Sequence, residues 1–122
     1  MSLKTFTAAY VEAALWSSTD NADDSGGEPL DKNYDASDIV PETQAIMRHD
    51  ARDFYTRREQ LWRSAGMSDE RAGHDFWLTR NGHGAGFWDR GLGVVGEKLT
   101  DEAKLYGSFD LYVGDDGKVH GS

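Results

Sequence analysis

The 122-residue chain contains no cysteine. That excludes disulfides, thiolate nucleophiles and thiolate metal ligands together, and it fits a reducing compartment. Long apolar runs are absent too. No stretch approaches the roughly 18 residues of a membrane-spanning helix, and the N-terminus lacks the basic-then-apolar layout of a secretory signal. The reading is a soluble, cytoplasmic protein that meets no membrane. Basic residues are scarce, with 13 Lys and Arg against 22 Asp and Glu, for a net charge of −9. A surface of that sign repels nucleic acid, so direct duplex binding is not expected.

The charge is unevenly placed. Residues 19–42 hold eight acids and one Lys, whereas residues 43–98 hold eight Arg, one Lys and eight acids. An acidic stretch beside an Arg-rich body makes a field across the molecule that attracts basic proteins to one side. The structural alternative is that the acids only keep a loop solvated. Length alone gives one domain over 1–122. The apolar fraction, 38%, is low, but four Trp, five Tyr and five Phe supply area for a small aromatic core.

Local signals place the elements. Thr5 to Ser18 reads as a first helix, capped by Thr5 or Thr7, with Phe6, Tyr10, Ala13 and Trp16 on one apolar stripe and Trp16 in the core. Residues 19–34, with Gly-Gly and four Asp, read as a mobile acidic loop anchored only by Leu30 and Tyr34. Its Asp spacing lacks the Asp-x-Asp-x-Asp-Gly and closing Glu of a calcium loop. Ser37 to Gly66 carries the longest helix, with Pro41 suited to its first turn. Its inner face is Met47, Ala51, Phe54, Tyr55, Arg58 and Trp62. Ser68 opens a further helix through Arg80 that stops at Asn81-Gly82; a strand over Phe76–Thr79 is the alternative. Gly82 to Gly96 is loop or irregular strand. Thr100 caps a final helix, DEAKLY, ended by Gly107. Ser108 to His120 is a β-hairpin turning at Asp115-Asp116-Gly117. The first residues and Gly121-Ser122 are read as frayed ends. The fold class is α+β, with three to four helices packed on a small C-terminal antiparallel hairpin.

The stretch Ala72 to Gly91, AGHDFWLTRNGHGAGFWDRG, stands apart from the rest. It sets Phe76-Trp77 and Phe87-Trp88 among five glycines and threads polar groups between them. His74, His83 and Asp89 are the candidate catalytic or metal-binding groups, because a His–carboxylate pair orients a general base. Their spacing matches no standard zinc signature, no Gly-x-Ser-x-Gly turn is present, and Arg80-Asn81-Gly82-His83-Gly84 is not a phosphate loop. No metal or cofactor is therefore assigned. The alternative is structural: Phe76, Trp77, Phe87 and Trp88 pack in a core, and Asp75 or Asp89 caps a turn or pairs with Arg80 or Arg90. The same composition also matches protein-interface hot spots. On that reading the binding residues are Arg80, Asn81, Trp88 and Arg90, with Asp20, Asp23 and Asp24 from the acidic segment.

The run GHDFWLTRNGHGAGFWDRGLG, with LWSSTDN and GEPLD upstream and DLYVGDDGKV near the end, resembles uncharacterised small proteins of bacteriophages and prophages. The likeness extends over most of the chain and carries no activity or catalytic residues with it. It implies a setting, the bacterial cytoplasm. The expectation is a non-catalytic protein that engages a basic or nucleic-acid-binding host protein, in one version as a DNA mimic. The eight Arg of the central region argue against a pure mimic. The alternatives are a small enzyme or metal site on His74, His83 and Asp89, and a purely structural protein.

Overall fold

A computed structural model describes residues 2–20 and 27–122; Asp23 and Asp24 of the expected acidic surface lie outside the described residues, as does the side chain of Asp20. The described chain forms α1 (Leu3–Ser17), β1 (Thr19–Asp20), β2 (Glu28–Pro29), α2 (Pro41–Ser64), α3 (Asp69–Arg80), α4 (Val94–Lys104), β3 (Leu111–Val113) and β4 (Val119–Gly121). Single 3-10 turns stand at Leu30–Lys32, Ala36–Asp38 and Phe87–Asp89. This is the expected α+β class, with the antiparallel β3–β4 hairpin paired Leu111 to Gly121 and Val113 to Val119. Among the described residues no helix is long and apolar enough to cross a membrane.

Helix α1 begins earlier than its threonines suggest. Ser2 is the cap, its hydroxyl accepting from the Thr5 amide at 3.1 Å. Phe6, Tyr10 and Ala13 are buried as expected, but Trp16 is not core: 42% of it is exposed. At about 100° per residue Trp16 sits some 60° beyond Ala13, outside the stripe centred on Phe6 and Tyr10. In α2, Pro41 occupies the first turn, where its missing N–H costs nothing, and Met47, Ala51, Phe54 and Trp62 are buried. Ser68 caps α3 through the Arg71 amide, and α3 stops at Asn81.

Three further expectations are corrected. Helix α4 starts at Val94 and Thr100 lies inside it, its hydroxyl donating to the Gly96 carbonyl at 2.8 Å rather than capping. The acidic segment is not structureless where it is described: β1 pairs with β2, Leu30 is fully buried, and Tyr34 packs on the core. Gly121 and Ser122 are also part of the fold. The Gly121 amide donates to Thr43 Oγ1 at 3.0 Å, and Ser122 exchanges two backbone bonds with Asp110 at 2.8 and 3.0 Å.

The core is a stack of rings. Phe6 lies on Trp62 (5.2 Å between centroids, 10° between planes) and Phe54 on Phe76 (4.1 Å, 6°), with Phe87 also against Phe54 (5.8 Å). Each ring also contributes buried area, so α1, α2 and α3 share one apolar centre. The closest approach is that of α1 to α3 at Gly73. A Cβ built there would collide with the Phe6 carbonyl oxygen, with the carbonyl carbon at 2.9 Å. The absence of a side chain at Gly73 sets the depth of the α1–α3 crossing.

Candidate functional site

The central stretch divides into an inner and an outer part. On the inner side Phe76, Trp77 and Phe87 are buried, and so is Arg80, only 6% exposed. The expectation of Arg80 at a binding surface is therefore not met. Its Nε donates to the Gly107 carbonyl at 2.8 Å and its Nη2 to the Tyr106 carbonyl at 3.0 Å. Its Nη1 donates to the Tyr10 hydroxyl and to Asp50 Oδ2, each at 2.8 Å. The five fixed donors of a guanidinium can satisfy carbonyl ends, a phenol and a carboxylate at once, as no other side chain can. Burial pushes the Tyr10 hydroxyl up to about 12 despite the neighbouring Arg80. Asn81 is half-buried and engaged within the fold: its Nδ2 donates to the Trp77 carbonyl at 3.0 Å and its Oδ1 accepts from the Phe109 amide at 2.8 Å. Arg80 and Asn81 thus fasten the end of α3 to the segment that leads into β3.

The loop after α3 is shaped by a glycine. A Cβ on Gly86, whose φ is +156°, would overlap Thr79 Oγ1. That hydroxyl instead accepts from the Phe87 amide at 3.1 Å, and Asp89 Oδ1 accepts from the Gly86 amide at 3.2 Å. The turn drives Phe87 inward and leaves Trp88 55% exposed, so Trp88 is not a core residue.

The outer part is a connected polar chain. Asp75 is fully buried and receives two bonds from Arg90, at 2.9 and 3.0 Å. Those bonds raise the Arg90 pKa further above its ordinary value. Arg90 is thereby held in place, with Asp89 Oδ1 3.6 Å from its Nε. Trp16 Nε1 donates to His74 Nε2 at 3.2 Å. An indole N–H only donates, so His74 Nε2 must be the acceptor and the neutral ring carries its proton on Nδ1. Among the described residues that buried nitrogen has no hydrogen-bond partner, and it lies 3.6 Å from Asp75 Oδ1. The series runs Trp16, His74, Asp75, Arg90, Asp89, with hydrogen bonds from Trp16 to His74 and from Arg90 to Asp75 and approaches of 3.6 Å between His74 and Asp75 and between Arg90 and Asp89; Trp16 stands at one end, and Trp88 precedes Asp89 in sequence at the other.

The proposed grouping of His74, His83 and Asp89 is not assembled. His74 is engaged by Trp16, Asp89 holds its own turn, and His83 is tied through its backbone amide to the Leu78 carbonyl at 3.0 Å. Among the described residues no three or more His, Asp or Glu side chains come together as metal ligands would.

A second feature lies away from the central stretch. A cleft of about 740 Å³ opens between α1, the first half of α2 and residues 31–39. Leu3, Val11, Leu15, Tyr34, Ile39 and Met47 give it apolar walls, and Lys4, Glu12, Asp31, Asp35, Arg48 and Arg52 also line it. Leu3, Thr7, Val11 and Leu15 recur every four residues on α1, beside the buried stripe. That second row was the one sequence signal for the cleft. Comparison with known proteins gives no further guidance: no family model, no curated protein and no solved structure matches the chain.

Proposed function

We propose that this protein acts without catalysis, by binding a host protein in a bacterial cytoplasm, in the setting implied by its resemblance to phage and prophage proteins. The contact face is the outer part of the central stretch, with Trp88 as anchor and Trp16, His74 and Arg90 around it. One observation carries the reading: Trp88 is more than half exposed, yet its turn is fixed on both sides by Gly86, Asp89 and the Arg90–Asp75 pair. Exposed large aromatics on rigid supports are the residues that dominate protein interfaces, because little side-chain entropy is lost when they are covered. The partner is basic or nucleic-acid-binding, as the net charge of −9 favours.

The test is Trp88→Ala. A core tryptophan would cost about 3–5 kcal/mol on truncation, whereas an exposed one costs well under that. The variant should keep its circular dichroism and melting temperature to within a few degrees. It should also fail to retain the host protein that the wild type captures from bacterial lysate at low salt. Capture of the same protein by both forms, in equal amount, would refute the assignment of this face.

A further inference from the structure

The cleft beside α1 lies outside that face and has a chemistry of its own. Its two ends can be told apart from the packing. Phe6 rests against Phe54 and Tyr55, at 6.2 and 5.6 Å between ring centroids, so the start of α1 lies beside the middle of α2. At the other end the Leu30 amide donates to the Ser18 carbonyl at 2.9 Å, and Gln44 Nε2 donates to the Ile39 carbonyl at 2.6 Å. Lys4 and Arg52 therefore belong to one end of the cleft, with Arg48 one turn away. Asp31 and Asp35 belong to the opposite end.

The charges at the two ends are not equivalent. Among the described residues Lys4 and Arg52 form no ion pair, and Arg48 is bonded only to the neutral Gln44 Oε1, at 2.9 Å. Asp35, by contrast, is engaged in capping its own 3-10 turn through the Ser37 amide at 2.9 Å. Between the ends run Val11, Leu15, Ile39 and Met47, with the exposed Glu12 on the α1 wall nearer the acidic end. From Leu3 to Leu15 is about 18 Å at the helical rise of ~1.5 Å per residue. A volume of about 740 Å³ is within the range of small-ligand sites.

We propose that this cleft binds a single-chain long-chain carboxylate, its head at Lys4 and Arg52 and its alkyl chain along Val11, Leu15, Ile39 and Met47. Cations without an ion pair among the described residues at one end and acids at the other fix the direction of the ligand, and the half-exposed Val11, over the nearly buried Leu15, Ile39 and Met47, gives the chain an apolar bed.

Methyl NMR of the whole protein tests this with three probes of one chain length, each below its micelle-forming concentration: laurate, dodecanol and dodecyltrimethylammonium. Laurate should shift the Ile39 and Met47 methyls saturably at one equivalent while leaving Leu99 in place, and should bind about tenfold more tightly than the ammonium. Lys4→Glu/Arg52→Glu changes exposed side chains only, so the variant should fold normally and lose that preference. Ala8→Trp, on the cleft wall, should abolish binding of all three. The proposal is overturned if the probes bind equally, if the shifts are unsaturable or fall elsewhere, or if the charge-reversed variant keeps its preference for laurate.

Discussion

Replacing Gly73 by alanine sets two effects of opposite sign against each other. In the interior of a helix, Gly→Ala ordinarily stabilises by about 1 kcal/mol, because alanine has less backbone freedom to lose. At Gly73 the new methyl would meet backbone on α1, overlapping the Phe6 carbonyl oxygen, with the carbonyl carbon at 2.9 Å and Cα at 3.2 Å. Backbone cannot rotate aside as a side chain can. Relief requires α1 to move away from α3, and Phe6 is stacked on Trp62 and Phe76. Overpacking of this kind costs about 1–3 kcal/mol or more, and a backbone collision belongs at the upper end. The net expectation is a loss of about 2 kcal/mol, or roughly 6–12 °C in melting temperature for a domain of this size. Gly84→Ala is the internal control, since nothing lies within 4 Å of its added Cβ and its φ is not positive. Thermal melts of both variants check the sign. A Gly73→Ala protein as stable as wild type, or more so, would refute the close-crossing argument.

Two further perturbations follow from the buried charges. Arg80→Ala removes a guanidinium and leaves the Tyr10 hydroxyl, the Asp50 carboxylate and two carbonyls without their donor; a loss of about 3–5 kcal/mol is expected in urea unfolding, whereas a loss below about 1 kcal/mol would place Arg80 at the surface after all. Burial works to raise the Asp69 pKa, but the bonds from Trp62 Nε1 and Arg63 outweigh it and hold the carboxyl below its ordinary value. Its stabilising contribution is therefore complete above the unfolded value of about 3.9 and disappears as pH falls through the folded value. Wild-type stability should fall below about pH 4, and Asp69→Asn should be less stable at pH 7 with a flatter acid limb; equal acid limbs would sink the assignment.

The elements that the sequence announced are those with local causes. Pro41 at a helix start, Ser68 as a cap and Asp115-Asp116-Gly117 between alternating apolar residues each act within a few positions, and each stands where the local rule puts it. What could not be read depends on distant partners. Arg80 looks like a surface cation until Asp50 and the carbonyls of Tyr106 and Gly107 are brought to it, 26 to 30 residues away in sequence. Trp16 continues the three-and-four spacing from Ala13, but each such step drifts around the helix, and by Trp16 the side chain has left the face centred on Phe6 and Tyr10; His74 engages its indole at the rim. Helix α4 starts at Val94 behind Gly93, which has no side chain to cap it, so no polar residue marks the start, and Thr100 lies inside the helix instead. The cleft draws on three separate segments, none of which looks unusual alone.

The four indoles fall into two optical classes. Trp62, in the ring stack, and Trp77, edge-on to Tyr10 and Phe109, are buried at 0% and 1% exposure, while Trp16 and Trp88 are exposed to 42% and 55%. Selective excitation of indole over tyrosine therefore yields a blue emission that follows the integrity of the core and a red one that follows the outer face. An aqueous quencher should extinguish the second and spare the first. Without any label, the protein thus carries one lamp for its folding and another for whatever covers its surface.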